Sequence, residues 1–322
     1  MYYHESDNPA PTGQLSNLSR KLILKVLYFE IFSYPLSFAE ILKTINQTEV
    51  SPIKVNHALE ELLKSGMIEK IQGYYLTKKR PDWIAKRLEY NTQATRYRDK
   101  ALKRARLISY FPYVRGVFFS GSFSKGVLGP DHDVDFFIIT KPNRLWLART
   151  LLVLYKKIFL LNNRRFFCVN YFIDEDHLTI MEKNLFTATE IVTLLPAFGT
   201  KLYHQFMEAN GWIKSYYPNY PLKDQLVKET PNDWVKQWLE QLFNSLIGEK
   251  LESLFFRNTI KYWNRKFSWM NAQTLDLALK SKKHISKHHP NNFQERVLRK
   301  YRFAIEEFEK LNQIKLRVLA LP

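Results

Sequence analysis

The chain has 322 residues, enough for two or three domains, and its hydrophobic and charged fractions of 45% and 25% exclude disorder over most of its length. Lys and Arg total 49 against 31 Asp and Glu, a formal net charge of +18, and residues 241–322 hold 16 of the basic and 7 of the acidic side chains. This excess favours a polyanionic partner, namely nucleic acid, an anionic membrane or nucleotide phosphates, unless it is the charge of an ordinary basic protein.

The single cysteine, Cys168, excludes an intramolecular disulfide and a cysteine-based zinc site. Residues 1–15 lack the apolar core of a signal peptide, and the most apolar stretch, 145–161, is interrupted by Arg149 and by two lysines. We therefore expect a cytoplasmic protein without a membrane-spanning helix.

The N-terminal region shows the pattern of three short helices after a polar leader at residues 1–16. Apolar residues at helical spacing follow Ser19. Ser37, with Glu40 three residues later, predicts the capping box of a second helix. Pro52 predicts the first turn of a third helix, because proline is well tolerated at that position.

A hairpin with Gly73 at its turn is predicted after these helices. Three helices and a hairpin resemble the winged-helix fold, which we assign to residues 17–80. The third helix carries Lys54 and His57 but also two glutamates, whereas helices that read DNA are usually more basic. The resemblance therefore implies contact with either DNA or a protein partner.

The rest of the chain predicts a mixture of strands and helices. Residues 82–109 predict one long basic helix, within a connecting segment at 81–111. Strands are predicted at 117–120, 133–140, 165–173 and 178–180, and a helix at 142–161. After Thr187 the pattern is helical almost to the end, and its tryptophans, Trp234, Trp238, Trp263 and Trp269, are expected in the core.

Two short motifs carry the chemistry. A predicted strand ends at Gly121-Ser122, and after a gap of ten residues a second apolar strand carries Asp133 and Asp135. Side chains two apart on a strand share one face, and two carboxylates there are costly unless a cation compensates their charge. A pair of Mg²⁺ ions would do so, while Gly121 and Ser122 approach the phosphates of a ligand and Lys125 adds positive charge.

This arrangement resembles the nucleotidyltransferase superfamily of DNA polymerase beta over residues 112–182. Ser120-Gly121-Ser122 and Asp133-Val134-Asp135-Phe136 match its signature, with Ser120 at a position that is usually apolar. The resemblance implies that Asp133 and Asp135 hold Mg²⁺ and that Gly121, Ser122 and Lys125 bind a nucleoside triphosphate. The other interpretation places both aspartates in an ordinary turn.

In that superfamily a third carboxylate usually comes from a neighbouring strand. On the predicted strand 165–173, alternation puts Cys168, Asn170 and Phe172 on one face, so Asn170 stands where the acid is expected. Asparagine can ligate a metal but cannot act as a general base. Glu190 on a following helix, or Asp174 at the strand end, are the alternative bases, and Glu190 also suits a helix N-terminus without any catalytic role.

We expect an α+β protein with an N-terminal winged helix at 17–80, a small mixed-sheet nucleotidyltransferase core at 112–183 and a helical C-terminal domain at 184–322. The predicted function is Mg²⁺-dependent transfer of a nucleoside monophosphate from a triphosphate to an unidentified hydroxyl, with Asp133, Asp135 and Glu190 as catalytic residues. The acceptor, whether a small molecule, a protein or RNA, stays open. The alternative is an inactive regulator that senses nucleotide and binds DNA or a partner.

Overall fold

The computed structural model describes residues 15–163, 165–223, 228–231, 233–271, 275, 279–288 and 292–316; most of the expected leader, residues 1–14, lies outside them. The fold is α+β. The chain divides into two compact units, one with residues 15–85, 215–220 and 299–316, the other with residues 86–214 and 221–298. The domain boundaries expected from the sequence stay predictions.

The first unit begins with helices and a small antiparallel sheet. Its elements are α1 (Asn17–Glu30), β1 (Leu36–Ser37), α2 (Phe38–Thr44), α3 (Pro52–Lys64), β2 (Glu69–Ile71) and β3 (Tyr74–Leu76), with strand order β1-β3-β2. The capping box is present, since Ser37 Oγ accepts from the Glu40 backbone and the Glu40 carboxylate accepts from Ser37 N. The predicted start of α3 at Pro52 and the hairpin at Gly73 are both confirmed.

The remaining elements follow in chain order. The helices are α4 (Pro81–Arg96), α5 (Arg98–Ser109), α6 (Gly121–Ser124), α7 (Leu145–Phe159), α8 (Leu185–Val192), α9 (Thr200–Ala209), α10 (Trp234–Leu242), α11 (Leu246–Lys266) and α12 (Phe293–Asn312), with a 3₁₀ helix at Gly211–Ser215. The strands are β4 (Val114–Ser120), β5 (Asp135–Thr140), β6 (Cys168–Asp174), β7 (Leu195–Phe198), β8 (Ser281–Lys282) and β9 (Ile285–Lys287). In the described ranges, each helix is too short or too polar to cross a membrane.

A mixed six-stranded sheet, in the order β7-β4-β5-β6-β9-β8, forms the centre of the second unit. β5 and β6 pair in parallel, and α7 connects them as a crossover helix. One face of the sheet packs on α7, with Phe136, Ile138 and Phe172 in the same cluster as Trp146. The other face packs on α9 through aromatic rings, where Phe137 stacks on Tyr171 and its ring centre lies 5.1 Å from that of Phe206 in α9. The sheet is therefore covered on both faces, and its polar chemistry lies at strand ends.

The structure corrects several elements expected from the sequence. The long helix at 82–109 is two helices, α4 and α5, which separate at Tyr97. Residues 178–180 form no strand, since Ile180 N and Leu178 O bond to the side chain of Asn210 instead of a neighbouring strand.

Helices predominate after Thr187, but three strands, β7, β8 and β9, interrupt them. β7 contains Pro196, and a proline is tolerated there because β7 is an edge strand. Trp263 is buried as expected, whereas Trp234, Trp238 and Trp269 are exposed.

Candidate active site

The end of β4 lies directly against the start of β5. Ser120 pairs with Asp135 in the antiparallel register, and the chain then turns into the short helix α6 at Gly121, with φ +65°. A Cβ atom on Gly121 would lie 2.5 Å from Oδ2 of Asp135. Glycine is therefore favoured at this position by its left-handed backbone, and any other residue would also displace the Asp135 carboxylate.

Asp133 and Asp135 lie on either side of Val134, whose backbone already joins the parallel ladder. Val134 N donates to Arg165 O at 2.8 Å and Val134 O accepts from Cys168 N at 3.2 Å. This pairing holds the segment extended, although β5 itself begins only at Asp135 and the predicted strand began at Asp133. Both aspartate side chains are half-buried, and Asp133 is close enough to affect the ionisation of Asp135.

Electrostatics at Asp135 are unfavourable to its charged form. Burial is the main cause that raises the pKa of Asp135 to about 7. The Cys168 thiol opposes this rise, the negative charges of Asp133 and Glu190 add to it, and Lys125 has a smaller opposing effect. The site thus concentrates negative charge around one carboxylate. A bound cation would relieve this repulsion, which is the physical reason to expect metal here.

Asn170 lies beside Asp135 at a bulge in β6. The register pairs Phe136 with Val169 and Phe137 with Tyr171, so Asn170 is the extra residue between them. Its Nδ2 donates to Oδ1 of Asp135 at 3.0 Å. Asn170 therefore lies beside Asp135, as the sequence predicted.

The same bulge changes the expected alternation along β6. Phe172 pairs with Ile138 and packs in the cluster with Trp146, on the opposite face from Cys168. The expectation that Cys168, Asn170 and Phe172 share a face is therefore wrong for Phe172, because the extra residue reverses the alternation after it.

Lys125 and Glu190 form an ion pair at the edge of this site. Nζ of Lys125 donates to Oε1 of Glu190 and to the carbonyl oxygen of Gly121, both at 2.9 Å. Both side chains are partly exposed, at 18% and 29%. Glu190 on α8 is thus brought to the glycine turn at the end of β4, although it is 55 residues from Asp135 in sequence.

Two further residues in this neighbourhood, Cys168 and Lys223, were not predicted from the sequence as site residues. The Cys168 thiol is close enough to Asp135 to affect its ionisation, and burial together with the nearby aspartates raises the pKa of the thiol. Lys223 Nζ donates to the backbone oxygens of Ser124 and Thr193, and so links α6 to the end of α8. Lys223 lies in a proline-containing connection, which gives no periodic signal from which its position could be inferred.

Asp174, the other alternative base, lies at the far end of the same strands. It pairs with Thr140, the last residue of β5, whereas Asp135 is the first. Its Oδ1 is 2.7 Å from Nδ1 of His177, and the carboxylate is buried. Five residues of strand separate the two positions, which is about 17 Å. Asp174 is therefore excluded as a base for a reaction at Asp135.

The donor set fits magnesium. Two carboxylates and the amide of Asn170 offer oxygen ligands, and Mg²⁺ is usually bound by one or two carboxylates together with substrate phosphates. Within the described residues, no group of three or more His, Cys, Asp and Glu side chains is arranged as a metal site. Substrate phosphate oxygens and water are the usual further ligands of Mg²⁺ in such sites.

Residues 100–189 match the family model of the nucleotidyltransferase domain. The match extends from α5 to the penultimate turn of α8, so it contains Gly121, Ser122, Asp133 and Asp135 and ends one residue before Glu190. Proteins with this domain typically use Mg²⁺ and a nucleoside triphosphate. Neither the curated proteins nor the solved structures gave a match to this chain.

Proposed function

Because residues 100–189 form a nucleotidyltransferase domain of the DNA polymerase beta-like superfamily, we propose that the chain transfers a nucleoside monophosphate from a triphosphate to an acceptor hydroxyl. The observation that carries the proposal is the contact between the Gly121 turn and the Asp135 carboxylate. The Gly121 turn lies against the Asp135 carboxylate, whose negative charge a cation would compensate. A metal-bound triphosphate would supply this cation, and its phosphates would approach the backbone of the turn where no side chain blocks them.

The proposed site residues have separate roles. Asp133 and Asp135 hold Mg²⁺ ions, with the Asn170 oxygen as a further ligand. Gly121 leaves room for the triphosphate, and the Ser122 hydroxyl and backbone N–H bind its oxygens. Lys125 keeps positive charge beside the same turn. The metal, when bound, neutralises charge on the phosphates and orients them for attack.

The transfer exchanges one bond at the α-phosphorus for another. The acceptor oxygen forms a bond to the α-phosphorus, the bond from that phosphorus to the β-bridging oxygen breaks, and pyrophosphate leaves. The hydroxyl proton passes to Glu190, whose carboxylate is the candidate general base, since the amide of Asn170 cannot accept it. Glu190 must then exchange its ion pair with Lys125 for contact with the acceptor.

Labelled nucleoside triphosphates, incubated with the protein, Mg²⁺ and a cell extract, test the function. Label transferred to a small molecule, a protein or RNA would identify the acceptor class. Asp135→Asn should abolish transfer, while Asp131→Asn, an exposed aspartate outside the site, is the matched control. Equal labelling by both variants, or labelling without Mg²⁺, would contradict the proposal.

A second candidate function is favoured by Asn170 itself. An amide bonded to Asp135, where an acid is expected, suits a domain that binds nucleotide without turning it over. The first unit, with three helices and a hairpin, is proposed to be a winged helix, which would transmit the nucleotide state to DNA or to a protein partner. Saturable nucleotide binding in the absence of any transfer would favour this regulator.

A further inference from the structure

Helix α10 is attached to the sheet by its polar side chains. The ammonium of Lys236 donates to Ser109 O at 2.9 Å and to Val114 O at 2.8 Å, and the side chain is buried. Glu240 accepts from Tyr113 N at 2.7 Å and from both terminal nitrogens of Arg115. Because Lys236 and Glu240 point inward, the opposite side of α10 faces solvent.

The outward side of α10 is uncharged and largely apolar. Its exposed residues are Trp234, Val235, Gln237, Trp238, Gln241 and Leu242. Trp234 and Trp238 are 77% and 58% exposed, and Leu246 and Ile247, on the first turn of α11, are 75% and 65% exposed. We call Trp234, Val235, Trp238, Leu242, Leu246 and Ile247 the tryptophan face. Apolar patches of this kind on a protein surface usually bind a partner.

The exposed side of α11 is strongly basic. Arg257, Lys261 and Arg265 are exposed and four residues apart, so they form one row along the helix. Lys250 and Lys266 are exposed as well, whereas Glu249 is the one exposed acid on α11. Glu252 is engaged with the backbone of Trp146 and Leu147. The helix that continues the tryptophan face therefore carries net positive charge to solvent.

We propose that the tryptophan face and the basic row of α11 together bind the surface of an anionic lipid bilayer. Tryptophan is favoured at the boundary between lipid and water, where its ring is in the apolar layer and its N–H is hydrated. Attraction of Lys and Arg to anionic headgroups adds to the burial of apolar area. The protein lies on the bilayer, and this attachment does not depend on the proposed transfer reaction.

The charges of the two surfaces favour an anionic bilayer over nucleic acid or a second copy of the chain. Nucleic acid would engage the basic row but offers little to an uncharged face with two tryptophans and four aliphatic side chains. A second copy of the chain would cover the tryptophan face but would bring the same basic helix of both copies to one interface. An anionic bilayer would bind the tryptophan face through its apolar layer and the basic row through its headgroups.

Sedimentation of the full chain with lipid vesicles tests the proposal. Binding is expected to vesicles of phosphatidylcholine mixed with phosphatidylglycerol and to be much weaker with phosphatidylcholine alone. Trp234→Ala with Trp238→Ala should lower the partition coefficient at least about tenfold. Ile53→Ala, which removes an 81% exposed apolar side chain from α3, is the matched control and should bind as wild type does. Neutralising Arg257, Lys261 and Arg265 with glutamine should remove the preference for phosphatidylglycerol.

Several outcomes would overturn the proposal. These are no sedimentation with the mixed vesicles, equal sedimentation of the double tryptophan variant, or a wild-type dimer that the double variant converts to a monomer without any vesicle binding. If the protein binds short RNA but not vesicles, and the variant with a neutralised basic row loses RNA binding, the surface would be assigned to nucleic acid. If thermal melting shows that the double variant is unfolded, Trp234→Glu repeats the test at the more exposed position.

Discussion

The amide nitrogen of Asn170 donates a 3.0 Å hydrogen bond to Oδ1 of Asp135. An uncharged side chain thus occupies the position where the resemblance to nucleotidyltransferases implies a third acid. It stands beside a carboxylate whose pKa is already raised by burial and by Asp133 and Glu190. A third carboxylate here would increase the repulsion, so asparagine stabilises the site when it lacks metal.

Asn170→Asp should therefore lower the free energy of unfolding in the absence of metal and increase the stabilisation that Mg²⁺ provides. The new carboxylate replaces a hydrogen bond with repulsion, and we expect a loss of about 1–3 kcal/mol in the free energy of unfolding. Mg²⁺ should restore most of this loss. Thermal melts with and without Mg²⁺ measure the effect, and Asn162→Asp, in an exposed turn, is the control. If the variant is as stable as wild type without metal, Asn170 does not reduce the electrostatic repulsion around Asp135.

Removing both aspartate charges should have the opposite effect. Asp133→Asn combined with Asp135→Asn is expected to abolish Mg²⁺-dependent nucleotide binding, because the metal loses its anionic ligands. Without Mg²⁺ the double variant should melt no lower than wild type, since the repulsion around Asp135 disappears. Calorimetric titration with nucleotide and Mg²⁺ tests the first part and thermal melting the second. A clear loss of stability without metal would mean that the aspartates are structural.

Glu190→Gln separates catalysis from nucleotide binding. If Glu190 is the base, the single-turnover rate should fall by about 10²–10⁴, with the Kd for nucleotide nearly unchanged. Lys125→Gln should mainly raise the Kd for nucleotide, because it removes positive charge from the phosphate-binding turn. Each variant breaks the same ion pair, so each is the control for the other. If both substitutions changed the rate and the Kd to the same extent, the effects would come from loss of the ion pair and not from separate roles of the two residues.

The sequence predicted the local parts of this site better than its assembly. Spacing and residue type were enough to place the glycine turn, the two aspartates and Asn170, because each depends on one strand and its neighbour. The bulge at Asn170 was not predictable, since strand alternation assumes an unbroken register. The contact of Lys125 with Glu190 was not foreseen either, because it joins segments 65 residues apart.

The exposed tryptophans were mispredicted for a similar reason. Size and apolarity place Trp234 and Trp238 in a core, yet α10 is held by Lys236 and Glu240 through backbone and arginine partners on β4 and the preceding residues. Those partners are more than 100 residues away, so no local pattern shows that the polar side of α10 is the buried one. β7 was missed because Pro196 and its short length argue against a strand unless it lies at an edge.

Gly121→Ala should damage the site more than an alanine substitution elsewhere. The added Cβ would meet Asp135 at 2.5 Å, and φ +65° disfavours any side chain. We expect a loss of about 1–3 kcal/mol in stability and of nearly all nucleotide binding. Gly211→Ala is the matched control, because a Cβ there has no atom within 4 Å and the backbone is not left-handed. Nucleotide binding retained by Gly121→Ala would contradict the role of the turn.

Lys25 in α1 gives a pH-dependent prediction. Its side chain is buried, its ammonium lies 4.1 Å from the ring centre of Tyr217, and burial lowers its pKa from 10.5 to about 7. Between pH 7 and 10.5 the unfolded chain binds a proton that the folded chain does not, so wild-type stability rises with pH across this window.

Lys25→Met removes this dependence. The variant should be more stable than wild type by about 1–3 kcal/mol at pH 7 and below, where the folded protein carries a buried charge that the ring of Tyr217 only partly compensates. The advantage should shrink as pH rises toward 10.5, because the wild-type lysine is then neutral in the folded state. Urea denaturation at about pH 6 and about pH 9.5 measures the difference. Lys64→Met, which replaces an exposed lysine on α3, is the control. If the gain in stability of Lys25→Met over wild type is the same at both pH values, it does not come from removal of a buried charge.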